Sequence, residues 1–587
     1  RGNGGMRLAL VVAVLAAGLW VNGMAYGEQA VRPGRVVVEA PTLTCIGVRW
    51  YVAGDRNENA QVQLAYRRKG ERDWQPALPL FRVGTGPDSQ EGEARLVRGE
   101  KDAWPFPVGN LFAGSIFGLT PGGHYQVRLA LSDPDGGAAT RVVDARTRAV
   151  PVPPKPTRTL HVAPGAGEGA GTRSNPFRGL AEANEAARPG DRILVHGGVY
   201  EGTFTTDKSG LPGAPIVWQA AGDGETVIDG GGAHRGISAT GAHDVFFLGL
   251  TGRNAAHGLV AHGASRLVVQ RCRFTDVTFG IAAYKNDPLQ QGFYFADNVF
   301  EGPSTWPRTR GIEDARAIQV SGEGHDICYN RVRGFGDGID IMNSPPGRAI
   351  DIYGNEISEC TDDAIELDYG QSNVRAFRNR ITNCFEGIST QPLYGGPAYI
   401  LRNAMYNLEY TPFKMHNHPS GALYLHNTAV KTGVPWPLWT SAKVRRVYSR
   451  NNLFIGTEAG YAMEFSPSMA DCDLDYDGFG GGPFTMFAKW NGVRYPTFEE
   501  FRQHSGIERH AVLVEAAGVF ASGLRAPADH REQFPLSVND LRLAPGSAAV
   551  DAGQRLPNIN DGYRGDGPDL GVYELGDALP HYGPRAY

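Results

Sequence analysis

Cysteine is scarce, with six residues in a chain of 587. So few exclude a disulfide-built scaffold, and no two of them have the spacing of a zinc finger. A positive field is missing too. Charged residues make up 20% of the chain and the net charge is −5, so nothing draws it to nucleic acid, and an acidic polymer would need a local cationic site. Long apolar runs are confined to residues 6–27, where Met6-Arg7 precede Leu8–Val21 and small residues follow near Ala25-Tyr26-Gly27. That run has signal-peptide length and is short for a membrane span. Residues 1–27 are therefore expected to be a signal peptide with the residues before it, leaving a mature monomer, secreted to the extracellular space or the periplasm, with no membrane span.

What the chain has in quantity is glycine, 78 residues, as expected for many tight turns between short strands. The turns recur with a period. Ala317-Ile318-Gln319, Gly338-Ile339-Asp340, Ala364-Ile365-Glu366, Gly387-Ile388-Ser389 and Phe413-Lys414 are one phrase repeated. A second beat, Asn then an apolar residue two positions on, falls at Asn330, Asn355, Asn379, Asn403, Asn427 and Asn452, every 24 or 25 residues. Units of that size cannot bury a face alone and must stack as a solenoid. The Asn column fits a ladder of inward amides, each bonding the next coil.

Around this repeat the chain divides. Residues 32–149 read as a β-sandwich, with Trp50 in an alternating strand and Leu119-Thr120-Pro121-Gly122-Gly123-His124-Tyr125 before Val127 and Leu129. That segment resembles the fibronectin type III signature, in which the Tyr hydroxyl ties back the preceding turn; such modules serve as spacers or docking surfaces. Residues 150–157 are a Pro-rich linker. The solenoid is expected over 158–455, its open end capped by a helix presenting Phe177, Leu180 and Ala187. Residues 456–525 break the period; Thr497-Phe498-Glu499-Glu500 is a capping box, and Asp471, Asp473, Asp475 and Asp477 imitate the start of a calcium loop. Residues 526–587 are expected to be terminal strands sealing the far end. Cys360 and Cys384 lie one coil apart, as stacked thiols or a bridge.

In a parallel β-helix the coils sit roughly 4.8 Å apart and residues flanking the inward Ile positions form outward columns. One column reads Ser238, Val260, Ala282, Gln319, Asp340, Glu366, Ser389, Lys414; Asp368, Gln391 and His416 follow, while Asp337, Asp362, Asp363 and Glu386 precede the strands. Carboxylates so close repel, and some must hold a proton near neutrality, as a general acid does. Pairs two coils apart suit an inverting glycosidase; pairs one coil apart suit retention or metal binding.

The entry to the solenoid, His161-Val162-Ala163-Pro164-Gly165, resembles that of right-handed parallel β-helix enzymes acting on polysaccharides. Gly336-Asp337-Gly338-Ile339, Asp362-Asp363, Phe385-Glu386-Gly387 and Phe413-Lys414 resemble, in order, the Asn-Thr-Asp, Asp-Asp, Gly-His-Gly and Arg-Ile-Lys of the polygalacturonase family, with Glu386 in place of His and no Asn-Thr or Arg. That resemblance implies a glycoside hydrolase with Asp362 as acid, Asp337 and Asp363 activating water, and Lys414 holding a substrate carboxylate; no cofactor is required. The chain also resembles calcium-assisted alginate and dermatan lyases of the same fold, which would put Ca2+ on Asp340, Glu366 and Asp368 and make Lys414, His416 or Tyr394 the base. The expectation is an enzyme cleaving an extracellular, uronate-containing polysaccharide, hydrolysis first, elimination second, a non-catalytic glycan-binding solenoid third. Asp337, Asp340, Asp362, Asp363, Glu366 and Lys414 are the expected catalytic residues. Glu386, Gln391, Tyr394, His416, Trp436 and Trp439 are the expected substrate contacts.

Overall fold

The computed structural model describes residues 29–83, 109–284, 290–343, 347–440, 443–457 and 460–586. The expected signal segment lies outside them. Among the described residues no helix is long and apolar enough to cross a membrane.

Seven antiparallel strands form the N-terminal sandwich, ordered Arg32–Val38, Ile46–Ala53, Leu111–Ile116, Gln75–Val83, Gln61–Arg68, His124–Ser132, Ala138–Arg146. Trp50, Val48, Val62, Val127 and Leu129 are fully buried between them. The Tyr125 hydroxyl accepts the Thr120 N–H at 2.9 Å, closing the turn.

The rest is a right-handed parallel β-helix whose coils contribute strands to three faces. Glu323–Cys328, Arg331–Arg333 and Asp337–Ile341 make one coil; Gly347–Tyr353, Glu356–Ser358 and Asp363–Glu366 make the next. Ile318, Ile339, Ile365, Ile388 and Phe413 stack in register and none has exposed surface. At the turn between the first two faces runs the amide ladder. The Asn330 N–H and side-chain amide both donate to Asn355 Oδ1 (2.9 and 3.0 Å), and the amide reaches the Phe295 carbonyl at 2.9 Å. The same geometry repeats at Asn355, Asn379, Asn403 and Asn427. Each rung satisfies a buried donor on one coil with an acceptor on the next, which no apolar residue could do.

The stack does not stop at residue 455. Leu453–Ile455 pairs with Gly478–Gly480, which pairs with Val512–Val514. The Asp run is no calcium loop: Asp477 is the next rung of the ladder, accepting from the Asn452 N–H at 2.8 Å, Asp473 pairs with Arg450 and Asp475 with His510. The short helix Phe498–His504 follows its Thr497 cap. At the other end the helix Leu180–Ala186, with Phe177 and Ala187, packs into the first coils. Cys360 and Cys384 are free thiols.

Two expectations change. The C-terminal tail forms no sealing strands among the described residues; it lies along the flank of the coils, with Leu541, Leu543, Leu570 and Tyr582 against Tyr406, Val430 and Ile455 and Arg585 bound to Asp297 at 2.7 Å. Those outward apolar residues on the middle face need cover, and the tail supplies it. Nor is the sandwich a free spacer. Arg375, fully buried on the first face of the helix, pairs with the buried Asp351 and donates to Ser115 Oγ of the sandwich at 2.9 Å. Ser372 and Asn373 donate to Glu39 at 2.6 and 3.0 Å.

Candidate functional site

The third face carries the chemistry, on strands Arg316–Val320, Asp337–Ile341, Asp363–Glu366, Glu386–Ser389 and Phe413–Lys414. Its outward column runs Ser238, Val260, Ala282, Gln319, Asp340, Glu366, Ser389, Lys414, residue on residue. A neighbouring column holds Arg316 over Asp337 and Asp363 over Glu386.

Two cations divide the carboxylates between them. Lys414 Nζ lies 2.7 Å from Asp363 Oδ2, 3.1 Å from Glu386 Oε2 and 3.4 Å from Asp362 Oδ1. Arg316 Nε lies 3.1 Å from Asp337 Oδ2 and 3.2 Å from Asp340 Oδ2. Arg316 was not anticipated, although it stands one coil from Asp337 in the same column and the sequence alone carried that signal. Seven carboxyls (Asp337, Asp340, Asp362, Asp363, Glu366, Asp368, Glu386) face these two cations, and burial makes the imbalance expensive.

Proton affinity follows. Burial, then the charge of Asp363, raises Asp337 well above the usual carboxylate range; burial, then Glu386, does the same to Asp363. Glu366 rises through burial, Asp340 and Asp337, Asp340 through burial. Burial pushes Glu386 up to about 7 against the pull of Lys414. Burial works against the Lys414 charge, yet the carboxylates of Asp363, Glu386 and Asp362 raise its pKa overall, favouring the ammonium for as long as they are ionised and face it.

One oxygen of this group is orphaned: Asp363 Oδ1 is buried with no hydrogen-bond partner. Ligand oxygens of Asp337, Asp363 and Glu366 lie within 4.8 Å of one another. An all-oxygen set with a buried, unpartnered carboxylate oxygen fits a hard divalent cation such as Ca2+. Of the expected trio Asp340, Glu366 and Asp368, only Glu366 falls in this set: Asp368 Oδ1 accepts from Ser389 Oγ and the Gln391 N–H, at 2.7 and 2.6 Å, and Asp340, like Asp337, lies against Arg316.

The expected substrate contacts separate. Trp436 is fully buried, stacked on Phe454 at 4.3 Å; it is core and does not reach the groove. Trp439 is 48% exposed and leans on Tyr410 at 5.3 Å, itself stacked on Phe385, so an aromatic row leads away from Asp362 and Glu386. Tyr394 is buried beside Tyr369 and packs against Tyr51 and Leu111 of the sandwich. Gln391 and His416 border the acidic coils half-buried, with Oε1 and Nε2 unpartnered, and burial lowers the His416 pKa.

No family model matches the chain. It is 22% identical over 468 residues to pectate lyase L of Dickeya chrysanthemi, spanning 71% of this chain and 90% of that protein. To pectate lyase L of Dickeya dadantii (strain 3937) it is 22% identical over 459 residues, with the same coverage. The structure of pectate lyase Pel9A superposes with a TM-score of 0.40 at 18% identity, covering 72% of this chain and 97% of that one. These similarities overturn the hydrolase expectation, because the two relatives aligned over most of their length are lyases by name. Glu386 stands 3.1 Å from Lys414 Nζ.

Proposed function

We propose that the chain is a calcium-assisted polysaccharide lyase that cleaves a uronate-containing polymer by β-elimination, with pectate as the first substrate to try. The observation that carries this reading is Lys414 Nζ packed 2.7 Å from Asp363, a residue that also groups with Asp337 and Glu366 within 4.8 Å and has a buried, unpartnered Oδ1. The likeness to two proteins named pectate lyase supports the substrate class. A hard divalent cation on that set supplies charge against the uronate carboxylate and makes the adjacent C5 proton more acidic.

The chain's own residues do the rest. Lys414 accepts the C5 proton, the electron pair forms the C4=C5 double bond, and the bond from C4 to its glycosidic oxygen breaks. Lys414 accepts only as the neutral amine, so Asp363 and Glu386 must be protonated or engaged elsewhere at that moment. Glu386, which holds a proton to about pH 7 and sits 3.1 Å from Lys414, can return one to the leaving oxygen. Arg316 keeps Asp337 and Asp340 in place. Digestion of pectate with and without chelator tests the reading: unsaturated-uronate absorbance should rise with new reducing ends, stop on chelation and return with calcium. Reducing ends without absorbance would refute elimination.

A further inference from the structure

Upstream of the acidic coils the same face changes character. Register runs from Arg235 to His257, on to Phe279 and on to Arg316, above Asp337. The column that ends in carboxylates thus begins in guanidinium, imidazole and phenyl groups. Phe279 and His257 stack, 4.6 Å apart between centroids at 16°, and His234, next to Arg235, tilts against His257 at 4.7 Å and 53°. Beside them His262 meets Tyr284 edge-on at 4.8 Å, and Tyr284 lies near enough to Asp340 and Arg316 to respond to their charge. Phe279, His257 and Tyr284 are half-buried, while His234 and Arg235 are exposed. Next to them Gly231 and Gly232 open onto free space.

A row of outward rings flanked by cations matches an acidic polysaccharide, whose pyranose faces are apolar and whose rim carries carboxylates. Coils about 4.8 Å apart make the row long enough for more than one sugar, and its register leads directly into the acidic coils. We propose that His234, His257 and Phe279, with Arg235 at the edge and Tyr284 at the border, are distal subsites for the polyuronate chain that runs on from the acidic site. The outward edges of the stacked rings and the exposed His234 pack against the sugars, and Arg235 meets a carboxylate. This rests on the lyase reading for its substrate class.

The test uses the full chain and four variants: Phe279→Ala, His257→Ala, the ring-conserving Phe279→Tyr, and Arg235→Glu, whose exposed position leaves folding untouched. Affinity electrophoresis through pectate gels containing chelator reads binding without cleavage. The polymer-to-trimer ratio of kcat/KM reads it during cleavage. The wild type and Phe279→Tyr should be retarded, while the other three should lose about tenfold in apparent affinity and in that ratio, the worth of one good stack or pair. A wild type that is not retarded, or folded Ala and Glu variants that match it in both readouts, would overturn the subsites. Retardation lost in the variants of a protein that yields no unsaturated product would uphold the subsites and sink the lyase reading.

Discussion

Lys414 has two roles in this site, and two substitutions separate them. It is the counter-ion of Asp363, Glu386 and Asp362, and in the proposed reaction it is the proton acceptor. Lys414→Ala removes both. It leaves Asp363 and Glu386, with 0% and 1% exposure, facing each other without a cation, and breaking a buried pair this way costs about 3–5 kcal/mol. Part of that cost is recovered when the carboxyls take up protons, so the loss should shrink at pH 5. Lys414→Arg keeps the charge and the donors but cannot give up a proton. Its urea midpoint should stay within about 1 kcal/mol of wild type, while its elimination rate should fall by about 10²–10⁴, the usual contribution of a positioned base. Urea titration and initial rates of absorbance on pectate measure the two quantities on the same samples. An Arg variant that retains a third or more of the wild-type rate would refute Lys414 as the base, whatever its stability.

Asp363→Asn removes one partner of Lys414 but also removes the repulsion from Glu386 and Asp362; melting should be nearly unchanged while activity is abolished, and full activity would sink the site. Without divalent ions the pH dependence of stability has a definite sign. Glu386 is raised from its usual 4.5 to about 7, so its stabilising proton is present below about pH 4.5 and is lost as pH climbs through 7, with Asp337, Asp363 and Glu366 shifted the same way. The melting temperature should therefore fall between pH 5 and 8, and calcium, which needs the deprotonated oxygens, should restore more at pH 8 than at pH 5; equal increments at both would contradict the assignment. Arg375→Ala strands Asp351 in the sandwich interface and should cost about 3–5 kcal/mol, read by urea titration, with the linker at 150–157 cut by protease at lower urea than in the wild type.

The periodic parts of this structure were legible because a solenoid writes its contacts at one sequence separation. The inward Ile stack, the amide ladder and the column from Ser238 to Lys414 all follow from a step of one coil, and the register matches them position by position. The same rule, pressed further, would have placed Asp477, 25 residues after Asn452, as a rung rather than as part of a calcium loop. What failed was whatever depends on a side chain's surroundings. Trp436 and Trp439 stand three residues apart with the same chemistry, yet one fills the core and the other faces solvent. The pairing of Arg375 with Asp351 beneath Ser115 joins segments far apart in the chain, and no local pattern announces it.

The ladder and the acidic site are the same geometric device with different chemistry. An amide carries both donor and acceptor, so a column of Asn in register satisfies itself, each Nδ2 giving to the Oδ1 of the next coil. A carboxylate only accepts, so a column of Asp and Glu cannot close on itself and must import protons or cations. At the ladder's last rung the import is a proton: Asp477 meets the fully buried Glu508, burial pushes Asp477 up to about 6 and raises Glu508 as well. On the third face Lys414 and Arg316 cover part of the charge, and the orphaned Asp363 Oδ1 marks where they fall short. In the proposed lyase that deficit is what a cation would fill, and it would link the site's proton affinity, its affinity for calcium and the basicity of Lys414, because all three would compete for Asp363.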